Sequence, residues 1–251
     1  MPELKIYQPW SAPVLHTSLP DILVQKLIQL TDLITEDIDH ESHHERLAGE
    51  IENELTIDPI LLTNISFKDY ISQLCWEYFK VFASQFGVDP NSDVRYMPPS
   101  LSVMKKKIEN IEILGSWFNN QQDNEYNPLH DHATYFSGVI YLKIPEYLPS
   151  RKSKNGHLDG SILFVQNESN IITCSTISIS PRVGDIFLFP STLKHMVYPF
   201  RTVNGKGIRR SLSFNLDSVK DYDILEAQVN YHKQNMKKEE IERNIKYIKK
   251  C

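Results

Sequence analysis

Two histidines stand one residue apart at the start of an apolar stretch. His130 and His132 lie in NPLHDHATYFSGVIYLKIP, residues 127–145, where turn-forming residues lead into β-branched and aromatic ones. Because residues i and i+2 of a strand share a face, both imidazoles are expected to point one way and Asp131 the other. Imidazole nitrogen is a good ligand for zinc, iron, copper and nickel. The pair could begin a metal site, although an isolated HxH more often consists of solvated or hydrogen-bonded histidines.

A third histidine opens another predicted strand. In ISPRVGDIFLFPSTLKHMVYPF, Gly184-Asp185 predicts a turn, IFLF a buried strand and Pro190-Ser191 a break, after which His195 begins the next strand. His195 at this strand start could complete a facial set of three imidazole ligands. Such a set leaves an open face for exogenous ligands.

One predicted strand has a polar face that contains an arginine. In GIRRSLSFNLD, alternation places Arg209, Ser211, Ser213 and Asn215 on one face, opposite Arg210, Leu212 and Phe214. A buried guanidinium costs several kcal/mol unless it is paired. A small carboxylate ligand would offset this cost, because arginine offers a planar two-point fork. The alternative is that this face of the sheet is solvated.

The rest of the chain supplies the elements that must position these residues. The first ~90 residues are predicted to be helical, with helices over 19–37 and 66–87, the second capped by Ser66 and stopped by Gly87, and a weaker one over 46–57. Strands are predicted near 101–106, 110–118, 134–144, 161–166, 172–180, 185–189, 195–200 and 208–216. A charged helix or frayed tail follows Asp221. The fold class is therefore mainly β with flanking helices, a sandwich or barrel such as a jelly-roll.

Composition limits the function classes. The chain has 251 residues, 41% of them hydrophobic, and a net charge of −5, so no overall basic field indicates a nucleic-acid partner. No apolar run approaches the ~18 residues that span a bilayer, and MPELKIYQPWSAPVL does not have the pattern of a signal peptide. Three distant cysteines form no CxxC pair or disulfide framework. A reducing cytoplasm is the expected location.

The order of these segments resembles the 2-oxoglutarate/Fe(II)-dependent oxygenases. HxH or HxD, then SGVIYL, then GDIFLFPSTLKH, then RxSLSFN follow one another over residues ~113–217. The most similar group is that of bacterial and phage 2OG-Fe(II) oxygenases with an HxH…H…R signature. The resemblance implies a double-stranded β-helix, the cupin-like jelly-roll. It also implies a dioxygenase, usually a hydroxylase, that uses Fe(II), O₂ and 2-oxoglutarate as cosubstrate.

The resemblance also implies roles for individual residues and a division of the chain. The expected metal ligands are His130, His132 and His195; Arg209 would clamp the far carboxylate of 2-oxoglutarate, and Asn119, Ser211 and Tyr141 match positions that contact the cosubstrate. A single domain is expected over 1–251, with N-terminal helical support at 1–95, the jelly-roll catalytic core at 100–217 and a C-terminal helical tail at 221–251. The prime substrate is not encoded in these patterns, and the N-terminal helices could hold it, contact a homodimer partner or buttress the barrel.

The chain departs from the common family motif at one metal ligand. Most members have His-x-Asp or His-x-Glu, whereas this chain has His130-Asp131-His132. Either His132 replaces the carboxylate, which strand alternation favours, or Asp131 rotates in from an irregular loop. A neutral imidazole would leave the site one charge unit more positive. A jelly-roll that binds metal and 2-oxoglutarate without turnover, as a sensor, is therefore an alternative.

A rival metal motif lies in the N-terminal half. His40-Glu41-Ser42-His43-His44 matches HExxH, which on a helix places two zinc ligands on one face beside a glutamate base and would make a zinc hydrolase. The flanking residues Asp39, Glu45 and Arg46 are too polar for a buried catalytic helix. This pattern favours a solvated, charged segment over a catalytic one.

Overall fold

The structure, a computed structural model, describes residues 12–37, 51–148, 158–166, 174–218 and 238–251. Its strands are β1 (Leu15–Ser18), β2 (Glu54–Thr56), β3 (Ile111–Gln121), β4 (Asn127–His130), β5 (Phe136–Lys143), β6 (Ile162–Val165), β7 (Thr176–Ile179), β8 (Asp185–Pro190), β9 (Lys194–Val197) and β10 (Arg209–Ser218). Its α-helices are α1 (Asp21–Thr35), α2 (Pro59–Asn64), α3 (Phe67–Gln85), α4 (Pro99–Ile108) and α5 (Lys238–Ile248). None of these helices has the length and apolar character needed to cross a bilayer.

The strands form two antiparallel sheets. The larger has the order β1-β8-β5-β10-β3-β2 and the smaller the order β4-β9-β6-β7. Most strands that follow one another in the chain lie either in different sheets or in non-adjacent positions of the same sheet, as in a jelly-roll. The predicted fold class, a mainly β jelly-roll with flanking helices, is confirmed.

Strand β10 is central because it pairs with both β3 and β5. One of its faces, with Leu212 and Phe214, belongs to a large apolar cluster that includes Leu27 of α1 and Phe79 of α3. The opposite face turns toward the smaller sheet. The helices therefore cover one side of the larger sheet and leave the polar side of β10 facing the space between the sheets.

The prediction of a strand near 101–106 is wrong, because these residues belong to helix α4. Pro99 occupies the first helical turn, where its missing N–H is no disadvantage. Leu101, Met104 and Ile108 are buried at helical spacing, and three consecutive lysines lie in the last turn. The apolar residues of this segment recur at intervals of three and four, which favours a helix over the strand suggested by the short apolar run.

Two N-terminal predictions also need correction. The weak helix predicted over 46–57 is, in its described part, coil followed by β2, which pairs with β3. Ser66 precedes α3 as expected but has φ 64° and no side-chain capping bond, so it does not act as a hydrogen-bonding cap. Gly87, with φ 66°, does follow the end of α3 in the left-handed conformation that glycine favours. Of the predicted C-terminal tail, α5 packs on the N-terminal helices through the bond from the Tyr247 hydroxyl to Asp37, 2.7 Å.

Candidate functional site

Three histidine side chains converge between the two sheets. One potential ligand atom from each of His130, His132 and His195 lies within 4.8 Å of the other two. The ring centroids are 4.3 Å apart for His130 and His195 and 5.0 Å apart for His130 and His132. Imidazole nitrogens that bind one ion at about 2.1 Å are at most about 4.2 Å apart. Small side-chain rotations would bring all three nitrogens to a single ion.

Two of these histidines are held by both their strands and their rings. His130 and His195 are direct partners across the β4–β9 pair. The Nδ1 atom of His130 lies 2.7 Å from the Pro128 carbonyl oxygen, and that of His195 lies 2.9 Å from the Leu193 carbonyl oxygen. A carbonyl oxygen only accepts, so Nδ1 carries the proton in each ring. Nε2 is therefore the nitrogen that each ring, as a neutral imidazole, can offer to a metal ion.

The third histidine is held differently. His132 lies just beyond the end of β4, and its backbone N–H donates to the Ser191 carbonyl oxygen at 2.9 Å. Its ring packs near the ring of Trp117, with the centroids 5.9 Å apart. Asp131 is exposed and is not part of the histidine cluster. The structure thus brings His132, and not Asp131, to the other two imidazoles.

Burial keeps two of the imidazoles neutral. It lowers the pKa of His132 to about 4 and that of His195 to about 3, and the nearby His130 adds to both effects. At neutral pH these rings therefore keep their lone pairs free. The described part of the cluster contains no carboxylate. The ligand set is accordingly three uncharged nitrogen donors, which suits Fe(II), zinc, nickel or copper.

The histidines line a pocket, partly open to solvent, that contains a buried arginine. Arg209 is 1% exposed, and its guanidinium donates to the Gly160 carbonyl oxygen and to Gln121 Oε1. Its Nε is buried without a hydrogen-bond partner, and no carboxylate of the described residues pairs with it. The pocket thus holds a desolvated cation with unused hydrogen-bonding capacity.

The neighbouring arginine has a different environment. Arg210 points to the opposite side of β10, where it donates to Asp32 at 2.6 Å and to Asn120 at 2.6 Å. It also donates to the hydroxyls of Thr31 and Thr35 at 3.0 and 3.2 Å. Arg210 therefore ties α1 to the sheet and has no free capacity directed at the pocket.

The other predicted cosubstrate contacts lie on strands adjacent to Arg209. Asn119 and Ser211 line the pocket and are partners in the β3–β10 pair. Tyr141 is opposite Ser211 on β5, is fully buried, and has a hydroxyl without a hydrogen-bond partner. Burial raises the pKa of Tyr141 to about 12, so its hydroxyl stays protonated and can donate. The Arg209 guanidinium carbon lies 5.5 Å from the centre of its ring.

The sequence analysis missed Gln121, which orients the Arg209 guanidinium. The strand predicted near 110–118 continues to Gln121 as β3, so alternation places Asn119 and Gln121 on one face. The rival HExxH motif, residues 40–44, lies outside the described residues.

Residues 115–215 match a sequence model of the family described as "Putative 2OG-Fe(II) oxygenase". This segment contains all three histidines and both arginines. The matched segment is therefore similar to the 2OG-Fe(II) oxygenases over about two fifths of the chain. The family description names both cofactors predicted from the sequence, Fe(II) and 2-oxoglutarate, and so confirms that prediction. A search of curated proteins found no match to this chain.

Several solved structures are similar to this chain. A prolyl-4-hydroxylase from Pseudomonas putida has 14% identity and a TM-score of 0.47, with 83% of this chain and 94% of that chain covered. A prolyl hydroxylase from Trichoplax adhaerens, in complex with a hypoxia inducible factor peptide, has 13% identity, a TM-score of 0.46 and coverages of 84% and 86%. HygX from Streptomyces hygroscopicus, with nickel and 2-oxoglutarate bound, has 14% identity, a TM-score of 0.44 and coverages of 82% and 83%.

Proposed function

We propose that this chain is an Fe(II)- and 2-oxoglutarate-dependent hydroxylase. Its ion would be held by His130, His132 and His195, and its cosubstrate by Arg209. The observation that carries the proposal is the convergence of three imidazoles in a pocket that also contains a buried guanidinium without a carboxylate partner among the described residues. Iron, when bound with 2-oxoglutarate and O₂, supplies the oxidation of a second substrate while the cosubstrate becomes succinate and CO₂.

Arg209 supports the cosubstrate assignment through its unused capacity. Taking a cation out of water costs several kcal/mol, and two bonds to neutral oxygens only partly offset that cost. A carboxylate in the pocket would provide the missing opposite charge and an acceptor for further N–H groups. The hydroxyls of Ser211 and Tyr141 and the amide of Asn119 would add neutral hydrogen bonds. Arg209 would thus bind and orient the dicarboxylate rather than take part in proton transfer.

The apolar part of the pocket would limit water access. Val139, Phe189 and Val197 line the same space as the histidines. Apolar walls offer no hydrogen bonds, so the few polar groups named above would orient the bound ligands. These walls also protect a reactive centre from side reactions with solvent.

The decisive experiment is an anaerobic titration of the protein with Fe(II) and then 2-oxoglutarate, followed by visible absorption. We expect a weak metal-to-ligand charge-transfer band that saturates at one iron per chain. His195→Ala should abolish the band, and His132→Ala should abolish or strongly weaken it. Asp131→Asn is the matched control, because Asp131 is adjacent in sequence but exposed outside the cluster, and it should leave the band unchanged. Absence of the band in the wild-type protein would refute the proposal.

A second candidate function is a sensor that binds the metal and 2-oxoglutarate without turnover. It is favoured by one observation, that the third residue of the ligand cluster is a neutral imidazole and not a carboxylate. The two candidates differ in succinate production under O₂ with ascorbate. A hydroxylase releases succinate, even uncoupled from its substrate, whereas a sensor gives the same anaerobic band and no succinate.

We also propose a cytoplasmic location and a prime substrate other than nucleic acid. All three cysteines are free, which is consistent with a reducing compartment. The net charge of −5 gives no general attraction to a polyanion.

A further inference from the structure

His132 differs from the other two histidines in how its ring is held. His130 and His195 each have a ring nitrogen fixed by a backbone carbonyl, whereas His132 has no ring hydrogen bond to any described residue. Metal-binding histidines usually have such a second bond, which fixes the ring orientation. The position of the His132 imidazole must therefore depend strongly on the backbone segment that carries it, residues 131–135.

Ser191, in the turn between β8 and β9, fixes that segment. Its carbonyl oxygen accepts from the His132 N–H at 2.9 Å, and its own N–H donates to the Tyr135 carbonyl oxygen at 3.2 Å. Its Oγ lies 2.7 Å from Thr134 Oγ1 and 2.8 Å from Ser137 Oγ. Ser191 is fully buried, and each of its polar groups is used on residues 132–137. A serine that merely satisfied its own buried hydroxyl would need only one of these contacts.

The hydroxyl contacts continue to the pocket. Ser137 Oγ donates to Asn215 Oδ1 at 2.7 Å, and Asn215 lines the pocket. Each hydroxyl has one proton, so Ser191 must donate to Ser137. Thr134 then donates to Ser191 Oγ at 2.7 Å rather than to the more distant Phe136 carbonyl oxygen at 3.3 Å. The bonds then all point the same way, an arrangement in which neighbouring hydrogen bonds strengthen one another. The segment that carries His132 is thereby joined to strand β10.

We propose that Ser191 is a positioning residue of the metal centre, which holds His132 in the ligand set through the backbone bond and the hydroxyl chain. The proposal rests on the proposed function, since it requires His132 to be a metal ligand. Ser191 also lies four residues before His195. It therefore connects the chain segments that carry two of the three ligands and sets their separation.

The test is the affinity for Co(II), measured by competition with a chelator, together with the visible d–d spectrum of the bound ion. Removing an outer partner of a metal ligand weakens metal binding about 10- to 100-fold. We expect a loss in this range for Ser191→Ala, with an altered Co(II) spectrum. Ser116→Ala is the matched control: this buried serine donates to the Ile57 carbonyl oxygen at 2.7 Å and does not line the pocket. It should keep the wild-type affinity within about twofold.

A double-mutant cycle separates positioning from general stability. If Ser191 acts through His132, Ser191→Ala should weaken Co(II) binding no further when His132→Ala is already present. Both variants keep the backbone bond from His132 to Ser191, but Ser137→Ala also leaves the contact between Ser191 Oγ and Thr134 Oγ1 in place, so we expect a smaller loss. It carries the test if Ser191→Ala does not fold. Wild-type affinity in these variants, or an equal loss in the His132→Ala background, would overturn the positioning role. A wild-type protein that binds no Co(II) would instead refute the proposed function.

Discussion

Replacing each of the two adjacent arginines with methionine should separate ligand binding from stability. Arg209→Met removes a buried cation that has no carboxylate partner among the described residues. Arg210→Met removes one that is bonded to Asp32, Asn120 and two threonines. Methionine approximates the length and apolar volume of the arginine stem, so the comparison isolates the charged group.

The expected magnitudes follow from the partners that each variant leaves behind. Arg210→Met leaves the buried Asn120 and Thr31 short of a partner, at about 1–3 kcal/mol in total, whereas the half-exposed Asp32 recovers solvation. At about 2–4 °C per kcal/mol for a chain of this size, Tm should fall by roughly 2–12 °C. Arg209→Met loses two bonds to neutral oxygens but relieves an unpaired buried charge. Its stability should stay within about 1 kcal/mol of wild type.

The order of effects reverses for 2-oxoglutarate. Two charge-assisted hydrogen bonds at about 1.5–3 kcal/mol each predict a loss of about 10²- to 10⁴-fold in affinity for Arg209→Met. Arg210→Met should change the affinity by less than about fivefold, because Arg210 points away from the pocket. The assays are thermal unfolding by circular dichroism without ligand, and calorimetric titration of the Zn(II)-loaded protein with 2-oxoglutarate. If Arg209→Met lowers Tm as much as Arg210→Met and leaves the affinity unchanged, Arg209 is structural and the reasoning fails.

Three further predictions concern pH, packing and thiol chemistry. The metal-free protein should lose stability as pH falls from about 6.5 toward 4, because His132 and His195 take up protons in the unfolded chain but stay neutral when buried. Chemical denaturation at pH 7 and pH 5 should show that the free energy of unfolding falls by about 1–3 kcal/mol. The decrease should be smaller in His132→Gln. Gly138→Ala should destabilise the protein by about 1–3 kcal/mol, since the added Cβ would lie 2.2 Å from a phenylalanine ring of β10. Gly115→Ala on β3 is the control: its Cβ meets nothing within 4 Å, so Tm should stay nearly unchanged. A native thiol titration should count two reactive cysteines of three, because Cys75 is buried with its pKa raised to about 12; three fast thiols would contradict its burial.

The strand-rich core and the grouping of the three histidines could be predicted from the sequence, because both depend on short-range patterns along the chain. Period-two alternation tells which residues share a face, and it placed Arg209 on the polar face of β10, opposite Arg210. The same alternation failed for residues 101–106, where a short apolar run was compatible with both periods. Proline at the first helical position and burial at helical spacing decide for a helix there.

Other parts of the site depend on contacts between segments distant in the chain. No local pattern shows that Gln121 orients Arg209 or that Ser191 joins residues 132–137, because each contact spans more than 50 residues. The choice between His132 and Asp131 also depends on the loop after β4, which is not a regular strand. Alternation favoured the residue that the structure places in the cluster, although His132 is held there by its bond to Ser191.

The strand that carries His130 is the outermost strand of the smaller sheet, with β9 as its single neighbour there and an irregular register between Asn127 and His130. A bound ion would act as a cross-link between this outer strand and its neighbour. Tighter metal binding would therefore raise the free energy needed to open β4. By mass action, an ion at 100 times its dissociation constant would raise the opening free energy of this strand by about 2.7 kcal/mol. Amide hydrogen exchange in β4 should therefore slow about 100-fold upon metal loading, while the far end of β6–β7 exchanges at its original rate.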